Sequence, residues 1–403
     1  MIDRVHVYLD DGSSAARHVG EIFFAARAGR LVSSTFRYST DYLASATAFA
    51  IDPALSLHAG VQNVSGLPGA LQDCSPDRWG RNLILKQARA TARNEHKTMA
   101  SLTDADFLLG VSDVTRQGAL RFRAGMDGEF LAEGGNVPKL IELPRLLRAA
   151  DVVGREDNLA AIKELLDAGT GSLGGARPKA SVRDSDHLLI AKFPHGSDEW
   201  DVVAWEKTAL DLAAKSGIRV PRSRLTKIQG RSVLLLERFD RLEGKRVPYI
   251  SAMTLLEARD GDVHDYAEIA DALSDVGAVT TEDLRELWRR IAFSVLINNT
   301  DDHLRNHGFL RERGGWRLSP AFDINPNPDP GASRQTGIGG AYDWDGALDA
   351  LMTYSKEFRL TPKTAGEALD KVVAAVTTWQ DSAASNGIRA GEIAQFADVF
   401  RLP

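Results

Sequence analysis

Between residues 281 and 297 the apolar side chains Leu284, Leu287, Trp288, Ile291, Ala292, Val295 and Leu296 recur at helical spacing and form one core-facing stripe. Thr280-Thr281-Glu282-Asp283 stands ahead of them and predicts the N-cap. Elsewhere the rhythm shortens to that of strands. Arg4 to Leu9 reads as a strand closed by the turn Asp10-Asp11-Gly12, and short apolar runs with turn signals continue to about residue 70. Ser75-Pro76-Asp77-Arg78-Trp79 predicts a helix to about Arg93, with a capping serine and a proline at the first helical position. Residues 103–170 read as mostly helical, with one break near Gly125-Met126-Asp127-Gly128.

From residue 169 the order of elements becomes informative. A glycine-rich stretch, Gly169-Thr170-Gly171-Ser172-Leu173-Gly174-Gly175, precedes a strand at 180–183, a turn at Asp184-Ser185-Asp186 and a second strand from Leu188 to Phe193. A helix at about 201–216 follows and stops at Gly217, where a left-handed cap fits. Strands near 223–228 and 232–237, joined at Gln229-Gly230, complete the series. Beyond Asp240-Arg241 helices dominate, with one long irregular segment from Asn325 to Gly340.

Composition narrows the class. The 403 residues suffice for two or three domains, and 43% hydrophobic with 26% charged residues is an ordinary globular balance. A single cysteine, Cys74, excludes an intrachain disulfide and every cysteine-based zinc cluster. A net charge of −6 means that nucleic-acid contact has to come from a local patch or a partner. The longest nearly apolar stretch, Leu43 to Ile51, is about half a membrane span, and the N-terminus reads as neither signal nor transit peptide. A cytoplasmic protein with no membrane association is expected.

The densest candidate chemistry follows the 281–297 helix, in Asn298-Asn299-Thr300-Asp301-Asp302-His303-Leu304-Arg305-Asn306. Asp301 and Asn306 are five apart, and Asp323 follows a strand-like Trp316-Arg317-Leu318. Protein kinases space their catalytic aspartate and metal-binding asparagine in that way, with a second metal-binding aspartate downstream. Phosphoryl transfer needs hard oxygen ligands for Mg²⁺ and one carboxylate to orient the attacking hydroxyl. Asp301 fits the second task; Asn306 and Asp323 fit the first. Lys192 lies on a strand face with Ile190, where a cation could meet ATP phosphates, and Glu206 or Glu199 could pair with it. The glycine run could bring backbone N–H groups to the phosphates, although it follows neither the Walker nor the usual kinase pattern. The strand end Glu237-Arg238-Phe239-Asp240 is suited to adenine and ribose.

With these residues assembled, the chain resembles the HipA family, serine/threonine kinase toxins of bacterial type II toxin–antitoxin pairs, over nearly its whole length. The matching stretches are Ser75 to Arg81, Ser172 to Lys179, Glu237 to Arg241, Asp301 to Asn306 and Ala321 to Pro326. The resemblance implies an α+β, two-lobed protein-kinase-like fold, with a mixed α/β N-terminal lobe and an all-α C-terminal lobe. It divides the chain into an accessory subdomain at 1–105, the rest of the N-lobe at 106–242 and a helical C-lobe at 243–403. It implies Asp301 as catalytic base, Lys192 on the phosphates, and Asn306 and Asp323 as Mg²⁺ ligands. Nucleotide contacts fall by the same resemblance on Ser172, Gly174, Gly175, Ala176, Lys179, Glu237, Phe239, Asp240 and His303, with adenine held through the backbone of Glu237 and Phe239. Ser172 matches the family's autophosphorylated serine, whose dianionic form would repel ATP phosphates and eject the loop.

ATP and Mg²⁺ are the implied cofactors. The implied partners are a small helix-turn-helix antitoxin (HipB-like), operator DNA reached mainly through it, and a protein substrate such as an aminoacyl-tRNA synthetase. Two departures stand out. Arg177-Pro178 replaces the Gln-Glu of some relatives, and Asp302 sets a second carboxylate beside Asp301. A small-molecule phosphotransferase on the same scaffold, or a non-catalytic pseudokinase corepressor, is the alternative reading.

Overall fold

A computed structural model describes residues 2–12, 15–99, 101–133, 137–169 and 177–403. The chain forms two compact units. The first comprises Met1–Ser197 with Ile228–Arg231 and Asp240–Ile250; the second comprises Asp198–Lys227, Ser232–Phe239 and Ser251–Pro403.

The first unit is built on a five-stranded antiparallel sheet in the order β4 (Gln62–Ser65), β3 (Arg30–Tyr38), β2 (Arg17–Arg27), β1 (Arg4–Leu9), β5 (Leu120–Arg123). Both faces of β1 are covered, since Val5, Val7 and Leu9 are buried and so are His6 and Tyr8. Helices α1 (Thr40–Leu43), α2 (Gly69–Asp73), α3 (Arg78–Asn94), α4 (Asp104–Gly110), α5 (Leu143–Arg155) and α6 (Leu159–Asp167) belong to the same unit. So does the hairpin of β6 (Lys179–Asp184) and β7 (His187–Lys192), which turns through Ser185 at φ 53°.

Two expectations change here. The cap of α3 is Asp77, whose carboxylate accepts from the Gly80 N–H at 2.7 Å, while the Ser75 hydroxyl turns back to the Leu71 carbonyl. Aspartate is in phase with the first free N–H groups, so the helix starts two residues later than a serine cap implies. Residues 103–170 also hold a strand, β5, within the region read as mostly helical. Leu120 and Phe122 point into the core and Arg121 and Arg123 away from it, a period of two that lasts only four residues.

One pH response is built into this sheet. Nδ1 of His6 lies 3.2 Å from Nε2 of His18, and burial, then the neighbouring His6, lowers the His18 pKa below its usual 6.5. The fold therefore disfavours charged His18, so its contribution is complete above the unfolded pKa and is lost as pH falls. The thermal midpoint of the protein is expected to drop from about pH 7 to about pH 5, and His18→Gln should flatten that drop. An unaltered profile in the variant would assign the acid sensitivity elsewhere.

The second unit is threaded by the buried helix α10 (Thr280–Leu296), in which Leu284, Leu287, Trp288, Ile291, Ala292, Val295 and Leu296 are all fully buried. Packed on it are α9 (Tyr266–Val276), α11 (Ala347–Thr353) and α12 (Pro362–Val376), and the unit also holds α7 (Val202–Lys215), most of β8 (Ser223–Ile228) and β9 (Arg231–Glu237), α8 (Ala252–Leu255), α13 (Trp379–Ser385) and α14 (Ala390–Gln395). Helix α7 ends at Gly217, which takes φ 77° as its left-handed stop. The expected cap of α10 is replaced. Its N-cap is Val279, which has no side-chain acceptor, and the Thr280 hydroxyl donates to the Gly277 carbonyl instead. Between residues 243 and 403 the framework is helical, and it also carries an antiparallel hairpin of Gly308–Glu312 and Gly315–Leu318. The C-terminal segment is held by Glu392, whose Oε1 accepts from Trp205 Nε1 at 2.8 Å and from the Asp201 N–H at 2.9 Å. Among the described residues no helix is long and apolar enough to cross a membrane.

Candidate active site

The loop that leaves α10 is closed on itself. Asn298 turns the chain at φ 52°, the His303 N–H reaches the Asp301 carbonyl at 3.1 Å, and the Asn306 N–H reaches the His303 carbonyl at 2.8 Å. Asn306 Nδ2 then donates to the Asp301 carbonyl at 3.0 Å, which fixes the amide with its oxygen turned away from that bond. Asp301 and Asn306 thus share one tight turn. Asp323 belongs to the same neighbourhood. Although Asp301 is exposed, partial desolvation by its surroundings raises its pKa above the ordinary carboxylate range, His303 opposes that, and the negative charges of Asp323 and Asp302 add to the rise. Asp323 itself sits at φ 56°, a left-handed conformation that a non-glycine residue holds only where its surroundings enforce it. The Ala321 N–H on the Arg219 carbonyl at 2.7 Å and the Phe322 ring 5.4 Å from Phe239 do part of that enforcing.

The two adjacent aspartates have different surroundings. Asp301 is exposed, whereas Asp302 is buried and accepts from Tyr266 Oη at 2.5 Å and Ser294 Oγ at 3.1 Å, with His307 Nε2 at 3.0 Å. Burial alone would raise the Asp302 carboxyl, yet His307 and the two hydroxyl bonds hold it far below the usual range. Asp302 is therefore a fixed structural anion. Asp301 is the carboxylate that faces outward.

The irregular segment 325–340 is fastened to this loop. Asn298 Nδ2 donates to the carbonyls of Asn327 and Asp329, Asn327 Nδ2 to the Thr300 hydroxyl, and Thr336 Oγ1 to the Asp302 carbonyl. The buried Arg334 guanidinium spans the Ser294 and Asn299 carbonyls at 3.0 and 3.2 Å. Apart from the two-residue parallel pairing of Thr336–Gly337 with His264–Asp265, side chains thus supply much of what holds this irregular backbone.

The remaining candidates divide between the units. Lys192 is half-buried on β7 while Leu189, Ala191 and Phe193 on the opposite face are buried. Glu206 is buried on α7, and Glu199 is exposed before it. The Glu237 N–H closes β9 onto the Arg222 carbonyl at 2.9 Å. Asp240 is buried, and its Oδ2 takes the Gly118 N–H at 2.8 Å and Arg241 Nη1 at 2.7 Å, which makes it an anchor for that turn. Lys179, expected at the nucleotide, has its ammonium 2.6 Å from Asp77 Oδ2. Ser172, Gly174, Gly175 and Ala176 lie outside the described residues. At the edge of that stretch Gly169 takes φ 68°, and a Cβ there would come within 2.4 Å of Thr115.

Sequence reasoning missed the partners of Asp302, the Asn298, Asn327 and Arg334 fastenings, and Asp77 as the partner of Lys179. The only signal for the last was the matching stretch Ser75 to Arg81 itself.

An α+β protein with a kinase-like arrangement of elements and an Asp–Asn–Asp loop is the class so defined. The HipA-like C-terminal domain pattern matches residues 171–380, and the HipA N-terminal domain pattern matches residues 6–105. The chain belongs to the HipA family. Among solved structures it is similar to the toxin HipA in the Shewanella oneidensis MR-1 complex of HipA, HipB and operator DNA, with 15% identity and a TM-score of 0.68 over 98% of this chain and 94% of that one. Fainter likenesses are to the Helicobacter pylori proinflammatory kinase CtkA (14% identity, TM-score 0.38, 55% of this chain and 90% of that one) and to choline kinase LicA from Streptococcus pneumoniae (16%, 0.19, 53% and 82%). No curated protein matches the chain in sequence.

Proposed function

We propose that the protein is an ATP- and Mg²⁺-dependent serine/threonine protein kinase, the cytoplasmic toxin of a type II toxin–antitoxin pair. The observation that carries this reading is the single turn holding Asp301 and Asn306, with Asp323 close enough to perturb Asp301. In this reading Asp301 accepts the proton of the acceptor hydroxyl, and Lys192, His303 and the 172–176 stretch bind the phosphates. Glu237 and Phe239 hold adenine through the backbone, and Asp240 steadies the adjoining turn near the ribose.

The oxygen donors suit Mg²⁺. Asn306 and Asp323 would hold it, and the buried Asn325 Oδ1, which has no hydrogen-bond partner among the described residues, adds a hard donor two residues beyond Asp323. The ion, when bound, neutralises charge on the transferring phosphate. A small helix-turn-helix antitoxin is the proposed partner, with operator DNA bound mainly through it, as the composition of the Shewanella complex suggests. Residues 1–105 are proposed as the accessory subdomain, 106–242 as the rest of the N-lobe and 243–403 as the C-lobe. The proposed substrate is a protein of translation such as an aminoacyl-tRNA synthetase, and Ser172 is the proposed site of self-phosphorylation.

Incubation with labelled ATP, Mg²⁺ and a cell lysate should label protein bands on serine or threonine. Label on small molecules alone would overturn the protein-kinase reading. Asp323→Ala should weaken Mg²⁺–ATP binding by about tenfold or more, since it removes a metal ligand. Unchanged affinity in the variant would remove Asp323 from the metal site.

A further inference from the structure

The turn that carries Asp301 and Asn306 has a second closure one residue further on. Asn306 Nδ2 donates to the Asp301 carbonyl at 3.0 Å, and His307 Nε2 lies 3.0 Å from Asp302 Oδ1. The first bridge joins the residues given chemical roles, and the second joins the residue that follows each of them. Asp302, Asn306 and His307 are all buried. One hydrogen bond between neutral groups is a weak hold on a short loop, whereas the second bridge is tied into the body of the unit. Asp302 divides its oxygens. Oδ2 accepts from Tyr266 Oη on α9 at 2.5 Å and from Ser294 Oγ on α10 at 3.1 Å, which leaves Oδ1 to His307 among the described residues. The Tyr266 ring stands edge-on to the imidazole, with ring centroids 5.5 Å apart and an interplanar angle of 88°. Backbone bonds complete the hold: the His307 carbonyl takes the Ala252 N–H at the start of α8 at 2.7 Å, and the Asp302 carbonyl takes Thr336 Oγ1 at 2.6 Å.

We propose that Asp302 and His307 are positioning residues for Asp301 and Asn306. Their contact fixes 302 against 307 and so sets the separation of 301 and 306, while Tyr266 and Ser294 register the pair on α9 and α10. The Asn306 amide oxygen is thereby preset for the ion, and the Asp301 carboxylate for the acceptor hydroxyl. The proposal rests on the roles given to Asp301 and Asn306 in the proposed function.

The test is the ratio of ATP affinity in Mg²⁺ to ATP affinity in EDTA, by calorimetry on the full-length protein, together with the single-turnover rate, each read below the variant's thermal midpoint. His307→Phe keeps a ring against Tyr266 and removes the nitrogen from Asp302 Oδ1, so the ratio and the rate should each fall about tenfold, as they do when a group that orients a metal ligand is lost. His307→Gln returns a side-chain nitrogen to the reach of Oδ1 and should bring both to within about threefold of wild type. A purely structural role would lower the midpoint and leave ratio and rate within about threefold of wild type in His307→Phe; that result overturns the proposal. Equal losses in His307→Phe and His307→Gln would assign the effect to the ring and overturn it as well. Should His307→Phe fail to fold, Tyr266→Phe decides, because it removes only the hydroxyl on Oδ2: a ratio lowered more than about threefold supports the proposal, and a smaller change overturns it. Asn306→Ala separates the positioning from the role beneath it. If the ratio survives in Asn306→Ala, that residue is no metal ligand and the proposal falls with its role; if it is lost there but kept in His307→Phe, the role stands and the positioning alone falls.

Discussion

Asp301→Asn is expected to lower phosphoryl transfer by about two to four orders of magnitude, the usual worth of a positioned general base. Its carboxylate faces outward from a turn that its own backbone carbonyl closes through Asn306, so the amide substitution removes the proton acceptor and keeps the turn. Nucleotide affinity should therefore stay within about threefold of wild type. Single-turnover kinetics combined with a binding isotherm separates the two quantities. The same variant tests self-modification, because intact mass should show a phosphate at Ser172 in the wild-type protein and none in Asp301→Asn. Equal turnover by the variant would reassign the base, and Asp302 could not take over, since Tyr266, Ser294 and His307 already hold its carboxylate.

Glu286→Ala is expected to have the largest effect on stability, about 3–5 kcal/mol. Glu286 is buried on α10 and binds two guanidinium groups, accepting from Arg219 Nε at 2.5 Å and from Arg290 through both Nε and Nη2. Burial alone would raise the Glu286 carboxyl, but Arg290 and Arg219 outweigh it and hold the pKa below its usual value. Alanine would leave Arg290, itself buried against the Ser319 carbonyl, without its anion. A fall of roughly 10 °C in the midpoint of the second unit is the expected readout in scanning calorimetry. Arg219 also receives the Ala321 N–H, so the loss should reach Asp323, and weaker Mg²⁺–ATP binding should accompany the lower midpoint. A midpoint within about 2 °C of wild type would show that the network is energetically neutral.

Much of this was readable in the chain. The stripe on α10, the β6–β7 hairpin and the glycine stop of α7 are local patterns, and so is the Asp301 to Asn306 interval. Family membership followed from short stretches of that kind. What escaped was decided by distant partners. Leu120-Arg121-Phe122-Arg123 is too short to declare itself a strand, and β1 makes it one through the pairs Leu9↔Leu120 to His6↔Arg123. The carboxylate of Asp77 beside Lys179 comes from 102 residues earlier in the chain, and Asp302 reads as a second base until Tyr266, 36 residues earlier, is found on its carboxylate. Asp77 displaced Ser75 as a cap for a local reason, since its carboxylate lies in register with the Gly80 N–H.

The pairing of β1 with β5 has a consequence for synthesis. β1 leaves the ribosome well before β5, since the strand that covers its outer edge is encoded about 110 residues later, a delay of roughly 5–20 s at ordinary elongation rates. Through that interval Val5, Val7 and Leu9 belong to a sheet with one open side, the condition in which strands pair with the wrong chain. The yield of soluble protein is thus tied to translation speed across residues 10–120 and to the chaperones that meet the emerging chain, before the stability of the finished fold has any influence.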